Sequence, residues 1–150
     1  MRALLQRVAR ASVRVDGSEI ARIGPGLLIL LGAAAGDPQD APDRLADRCA
    51  GLRIFEDEAG RMNRSVRDVA GEALVVSQFT LVADVSRGRR PGFDPAAKPE
   101  AAEAAVERFC AALEGLGVPV GRGRFGATMD VELVNHGPAT FLLEIPPPPA

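Results

Sequence analysis

Gly26-Leu27-Leu28-Ile29-Leu30-Leu31-Gly32 carries no charge and no apolar–polar alternation. A strand with one wet face alternates, so this run predicts a strand buried on both faces, with packed material above and below it. Reading outward toward the N-terminus, Leu4 to Val15 is rich in Val and Leu, with Val13 and Val15 alternating against Arg14. Asp16-Gly17 follows, a strong signal for a two-residue hairpin turn. Glu19 to Ile23 reads as the return strand, and Gly24-Pro25-Gly26 as the turn into the apolar run.

Toward the C-terminus, Asp37-Pro38 reads as a helix N-cap followed by a proline in the first helical position. Leu45, Cys49 and Leu52 continue at helical spacing, which predicts a helix over about 38–51. Arg53-Ile54-Phe55 returns to strand, 56–60 to turn, and Arg61 to Val69 to a loop or short helix. Ala73 to Phe79 predicts a central strand. Arg87 to Lys98 is polar and punctuated by Gly and Pro, as an ordered surface loop would be. Ala102, Val106, Phe109, Leu113 and Leu116 step by four and three, predicting a second helix over 100–116 that Gly117 closes. Val118 to Val120 reads as a short strand. Val131 to Asn135 and Ala139 to Ile145 read as two strands flanking Gly137-Pro138.

The chain has 150 residues, 47% apolar and 25% charged, the size and composition of one domain with a real core. The fold class expected is α/β: a single domain, a mostly antiparallel sheet or partial barrel with two main helices, spanning 1–145, with a proline-rich tail at 146–150. The long apolar final strands leave an edge that invites a second copy, so a homodimer is expected. Net charge is −2, which gives no global attraction for a long polyanion. Charges at Arg2 and Arg7 come too early for a signal-peptide core, and no apolar run reaches the roughly 20 residues of a membrane span. A cytoplasmic protein without membrane attachment is the simplest reading. Cys49 and Cys110 fit no metal spacing, and neither a metal nor a cofactor is expected.

Two stretches carry the candidate chemistry. In Val75-Val76-Ser77-Gln78-Phe79-Thr80-Leu81 an apolar strand fades into hydroxyls, an amide and backbone N–H groups. Those N–H groups could hold a developing oxyanion. Ser77 or Thr80 could instead be a nucleophile, which requires a base beside it. The only histidine, His136, has no elbow motif to pair it with either. In Leu133-Val134-Asn135-His136-Gly137-Pro138-Ala139-Thr140-Phe141, Gly-Pro interrupts a strand. The sequence alone leaves that peptide cis or trans, and the glycine allows close backbone approach. Arg87-Gly88-Arg89-Arg90 and Arg122-Gly123-Arg124-Phe125 could grip a few phosphates, with Phe125 as a stacking face. Arg7, inside an apolar strand, reads as a structural or site-orienting ion pair. A purely structural account of each cluster stands beside these: a capped strand end, a bulge and solvated loops.

Gln6-Arg7-Val8, Arg53-Ile54-Phe55, Ser77-Gln78-Phe79-Thr80-Leu81, Gly88-Arg89-Arg90-Pro91, Gly123-Arg124-Phe125-Gly126-Ala127 and Asn135 through Thr140 together resemble the D-aminoacyl-tRNA deacylases. The resemblance covers nearly the whole chain except the proline tail. It implies a homodimer with active sites at the subunit interface. Ser77, Gln78, Phe79 and Thr80 would line the catalytic pocket of one subunit. Gly137-Pro138, with a cis bond and with Asn135 beside it, would be inserted from the other to exclude L-amino acids. Arg7 would orient that Gly-Pro, and Phe125 and Met129 would lie near the terminal adenosine; with such a substrate, the basic loop residues Arg87, Arg89 and Arg90 read as tRNA contacts. The implied reaction is hydrolysis of D-aminoacyl-tRNA and glycyl-tRNA, chirality proofreading in translation, by backbone oxyanion stabilisation and help from the substrate 2′-hydroxyl. The rivals are a Ser- or Thr-dependent esterase or amidase on another substrate, and a non-catalytic binding module. Gly92, where the family often has Ser, and His136, where it is commonly acidic or polar, are departures.

Overall fold

A computed structural model describes residues 1–150. The backbone spine is β1 (Arg2–Val15), a strand of 14 residues. Asp16 and Gly17 both have positive φ, 51° and 77°, and turn β1 into β2 (Ser18–Ile23). This is the backbone that a two-residue hairpin with right-handed strand twist requires. β3 (Gly26–Gly32) pairs antiparallel with the first half of β1, from Arg2↔Gly32 to Val8↔Gly26, while β2 pairs with the second half. The last strand of the chain runs along the whole opposite edge of β1.

After β3 the chain forms α1 (Ala41–Gly51) and a small two-stranded sheet, β4 (Phe55–Glu56) and β5 (Met62–Arg64). It re-enters the main sheet as β6 (Glu72–Ser77), parallel to β3. α2 (Pro99–Gly115) then crosses to β7 (Val120–Arg122), parallel to β6. β8 (Asp130–Glu144) completes the sheet. The sheet is therefore mixed, with three antiparallel pairings around β1 and a parallel flank of β3, β6 and β7.

Side-chain alternation along these strands builds two cores. Leu27, Ile29 and Leu31 of β3, with Ala73 and Val75 of β6, pack against α1 and α2 together with Leu45, Phe109 and Leu113. Leu28, Leu74 and Val76 point the other way and meet Val8, Val13 and Ile23 inside the curl of the sheet. Burial of β3 on both faces follows directly from its unbroken apolar sequence. The curl brings β2 against β7: a Cβ on Gly121 would lie 3.6 Å from both Ala21 and Ile23. The result is a nearly closed sheet with both helices on its outer face.

Several boundaries differ from the sequence reading. α1 begins at Ala41, because the Asp37 carboxylate is engaged elsewhere. It pairs with the Met1 amine at 2.5 Å and accepts the Ala34 N–H at 2.7 Å. The N-cap is Asp40, with Pro42 in the first turn. The central strand β6 stops at Ser77, and Phe79–Val82 form a 3-10 turn. The short strand lies at 120–122 instead of 118–120. Residues 61–69 contribute a strand, β5, where a loop or short helix was expected. The two strands expected around Gly137-Pro138 are one strand, β8, whose pairing with β1 shifts register between Gln6 and Val8 and again between Val8 and Arg10. No helix is long and apolar enough to cross a membrane.

Phe109 is the largest of the fully buried side chains in the helix-facing core. Phe109→Ala should cost about 3–5 kcal/mol, a large share of a typical domain's stability, read from the midpoint of urea unfolding.

Candidate active site

β6 delivers Ser77 to the rim of the sheet, half-buried, at the point where the strand ends. The Gln78 N–H is not free, since it donates to the Leu31 carbonyl at 2.7 Å. The open donors at the rim are those of Phe79 and Thr80, because the first residues of a 3-10 turn have no partner within the turn. Arg2 pins the far end of that turn, donating to the Leu81 carbonyl at 2.8 Å. The Gln78 amide donates to the Thr80 hydroxyl, so this hydroxyl is held by an amide and not by a base.

Beside the rim is a cavity of about 590 Å³, lined by Ser77 and Val75 on one side and by Gly123, Arg124 and Phe125 on another. The Gly123 N–H donates to the Val75 carbonyl at 2.9 Å, which fixes the Arg122–Phe125 segment against β6. Met129 closes over this segment: its sulfur accepts the Arg124 N–H at 3.4 Å and would sit 2.8 Å from a Cβ on Gly123. The sequence candidates Ser77, Phe125 and Met129 are thus brought together, with Gln78, Phe79 and Thr80 continuing the rim.

The third wall is α2. Glu107 takes Arg122 in a two-point ion pair, Nε–Oε2 3.1 Å and Nη2–Oε1 2.9 Å, and Glu114 approaches the same guanidinium at 2.5 Å. The two carboxylates push the Arg122 pKa up, and Arg122 in turn holds the Glu114 carboxyl below its usual value. Arg122 therefore braces the strand that carries the Phe125 loop and is not free for phosphate. Cys110 also faces the cavity, with its thiol pushed up to about 11 chiefly by burial, so it is neutral and unreactive near neutral pH. Sequence reasoning missed this wall. The signal was present as Glu100, Glu103 and Glu107, an acidic row at helical spacing set opposite the basic Arg122–Arg124 segment.

A second group lies on β1 and β8. Arg7 is only 5% exposed, yet it forms no ion pair. Its Nε donates to the His136 carbonyl at 2.7 Å and its Nη1 to the Ile54 carbonyl at 2.6 Å. The expected ion pair is corrected to two main-chain carbonyls, which accept the planar guanidinium without a second buried charge. Through His136 the contact reaches the residue just before Gly137, and the Gly137–Pro138 peptide is cis. A Cβ on Gly137 would fall 2.1 Å from the Asn135 Oδ1 and 2.9 Å from the Ala139 N, so only glycine fits beneath the Asn135 side chain. His136, Gly137 and Pro138 are exposed. In the sheet order, β1 and β3 stand between β8 and β6. One chain therefore holds the Gly-Pro group and the Ser77 rim with two strands between them.

Arg87, Arg89 and Arg90 sit on an exposed loop between the 3-10 turn and α2. At Gly92 an added Cβ would meet nothing closer than 3.8 Å, so space does not dictate the glycine there. No group of three His, Cys, Asp or Glu side chains is arranged to hold a metal ion.

The family model described as D-Tyr-tRNA(Tyr) deacylase matches residues 4–144. A D-aminoacyl-tRNA deacylase of Paracoccus denitrificans (strain Pd 1222) is 60% identical over 144 residues, covering 96% of this chain and 97% of that protein. One of Ruegeria pomeroyi (strain ATCC 700808 / DSM 15171 / DSS-3) is 58% identical over 145 residues, covering 97% and 100%. Among solved structures, the c-Myc DNA Unwinding Element Binding Protein superposes with a TM-score of 0.92 at 42% identity, covering 97% of this chain and 99% of that one. A probable eukaryotic D-amino acid tRNA deacylase shares the fold, with a TM-score of 0.81 at 20% identity. The match runs through the Ser77 rim, the Phe125 loop and the Gly137-Pro138 bend alike, and the chain belongs to the D-Tyr-tRNA(Tyr) deacylase family.

Proposed function

We propose that residues 1–145 form a hydrolase that cleaves the ester joining a D-amino acid, or glycine, to the 3′ end of tRNA, and so proofreads chirality in translation. The observation that carries this reading is the cavity shared by the Ser77 rim and the Phe125 loop, in a chain of the deacylase family. A space of about 590 Å³ has room for a terminal adenosine and an aminoacyl group. Phe125 and Met129 offer apolar and polarizable surface to the base.

An aminoacyl ester is already activated, so the protein's task is positioning and charge stabilisation. Water adds to the ester carbonyl carbon, and negative charge develops on the carbonyl oxygen. Backbone N–H groups at Phe79 and Thr80 suit that charge, each such donor being worth about 2.7–4 kcal/mol in acyl-transfer sites. The C–O bond to ribose then breaks, the ribose oxygen takes the proton, and free amino acid and a 3′-hydroxyl result. The substrate 2′-hydroxyl is the group at hand to relay that proton. The geometry favours this over a side-chain nucleophile, because the Thr80 hydroxyl is held by the Gln78 amide and the cavity holds no histidine.

Chiral selection is assigned to a homodimer. The outer edge of β8 has no strand partner over Asp130–Glu144, and Val134 and Leu142 are exposed on it. A second copy is what brings the Gly137-Pro138 segment of the partner subunit to the Ser77 rim. There its main-chain oxygens occupy the space an L side chain needs, a clash built against the wrong enantiomer. Glycine has no side chain and passes. Arg7, by holding the His136 carbonyl, and Asn135, by covering Gly137, keep that segment in place.

Paired hydrolysis assays with one tRNA charged with the D- or L-form of the same amino acid test the reading. The D-ester should be cleaved at least about a hundredfold faster, which corresponds to ~2.7 kcal/mol of discrimination; equal rates would end it. Thr80→Ala should retain turnover within about tenfold, since the donors are main-chain. Complete loss in a folded protein, with an acyl-enzyme trapped by mass spectrometry in the wild type, would instead favour covalent catalysis. Arg7→Met should leave the Ile54 and His136 carbonyls without their donor, at about 1–3 kcal/mol each, and lower both the urea midpoint and the rate on D-ester.

A further inference from the structure

Seven of the 17 arginines form ion pairs, Arg2 with Glu144 among them. Arg14, Arg22, Arg44, Arg64, Arg108 and Arg122 each have a carboxylate within 4 Å. Arg87, Arg89 and Arg90 have none, although they occupy four consecutive positions with Gly88. The nearby Asp84 makes no ion pair with them; its Oδ1 accepts the Ser86 N–H at 2.9 Å and the Ser86 hydroxyl at 2.6 Å. The loop is nonetheless closed at its base by a reciprocal pair of main-chain bonds, Asp84 N–H to Gly92 O and Gly92 N–H to Asp84 O, both 2.8 Å. Its tip turns at Gly88, with φ +64°.

Directly after that clasp is Phe93, 42% exposed, in edge-to-face contact with Phe79 at 5.0 Å between ring centres. Phe79 is 54% exposed and adjoins Gln78 at the rim of the cavity. Two large exposed aromatics are thus in contact at the foot of the clasped loop that carries the three arginines. On the α2 wall of the cavity, Glu100 and Glu103 carry no ion pair, whereas Glu107 is taken up by Arg122. A polyanion leaving the cavity is repelled on that side and attracted on this one.

We propose that the Arg87–Arg90 loop and the Phe79–Phe93 pair form a docking surface for single-stranded RNA, the nucleotides immediately preceding the aminoacylated one. The arginines take the phosphates, and the aromatic pair offers a ring face on which one base stacks, the combination by which single strands are held without reading their sequence. This deepens the deacylase reading and rests on it. It also reconciles an overall charge of −2 with a nucleic-acid substrate, since the contact is confined to a short, locally basic strip.

The test compares wild type, R87A/R89A/R90A and F93A on two substrates, D-aminoacyl-tRNA and the fragment D-aminoacyl-adenosine, across a series of KCl concentrations. On tRNA, each variant should raise KM by roughly tenfold or more with kcat little changed. For the triple variant the slope of log KM against log[KCl] should fall by about 2, as expected for three phosphates on a single strand. Arg→Lys at all three positions should restore that slope, and F93Y should restore KM. On the fragment, which lacks the upstream nucleotides, both variants should match wild type within about twofold. Unchanged KM on tRNA, or an equal loss on both substrates, would overturn the proposal. So would a change of sedimenting mass in F93A, which would mean that a second copy covers the aromatic pair. If wild type cleaves neither substrate, the deacylase reading itself fails, and this inference with it.

Discussion

A strand of 14 residues must satisfy hydrogen bonds along two edges, and β1 does so with three partners. One edge is divided between β3 and β2; the other is taken whole by β8. The candidate site residues are hung from this arrangement. β3 carries β6, whose end is the Ser77 rim, and β6 carries β7, whose continuation is the Phe125 loop. On the other side β8 carries the Gly-Pro bend, at the place where its register with β1 slips. Arg7, in the middle of the spine, reaches across to that bend through the His136 carbonyl. One strand thus sets the position of both candidate clusters and also keeps them apart within a single chain.

The elements that rest on local chemistry were legible in the sequence. Gly26 to Gly32 had to be buried on both faces because nothing in it tolerates water. Asp16-Gly17 had to turn because those residues accept positive φ. The α2 stripe declared its face through its spacing. What could not be read depended on partners remote in sequence. Asp37 had the right identity and setting for a cap, but an amine 36 residues away and the Ala34 N–H claim its oxygens. Arg7 looked like half of an ion pair because buried cations usually have acids. Its acceptors are carbonyls 47 and 129 residues distant, and every residue has a carbonyl, so no pattern marks them.

The candidate site divides the same way. The Ser77–Thr80 and Gly137–Pro138 clusters stand out because small polar residues and Gly-Pro break apolar strands. The acidic wall of α2 does not stand out, since charges on the outer face of a helix are ordinary. Only the fold sets Glu107 and Glu114 on Arg122, and so gives those charges the task of holding the Phe125 loop at a fixed distance from the rim. The candidate site, as proposed, is mostly backbone held by side chains, and so few of its parts carry a sequence signature of their own.

The two cores share their backbone. Ile29 faces the helices and Leu28 faces the sheet interior, and the same alternation relates Val75 to Leu74 and Leu5 to Val8. Neither layer can loosen while the other stays packed, because the strands that would have to move belong to both. The molecule therefore has no separable half to melt first, and cooperativity of this kind is typical of small domains. A ligand that tightens the end of β6 stabilises the helical layer and the barrel interior in a single step.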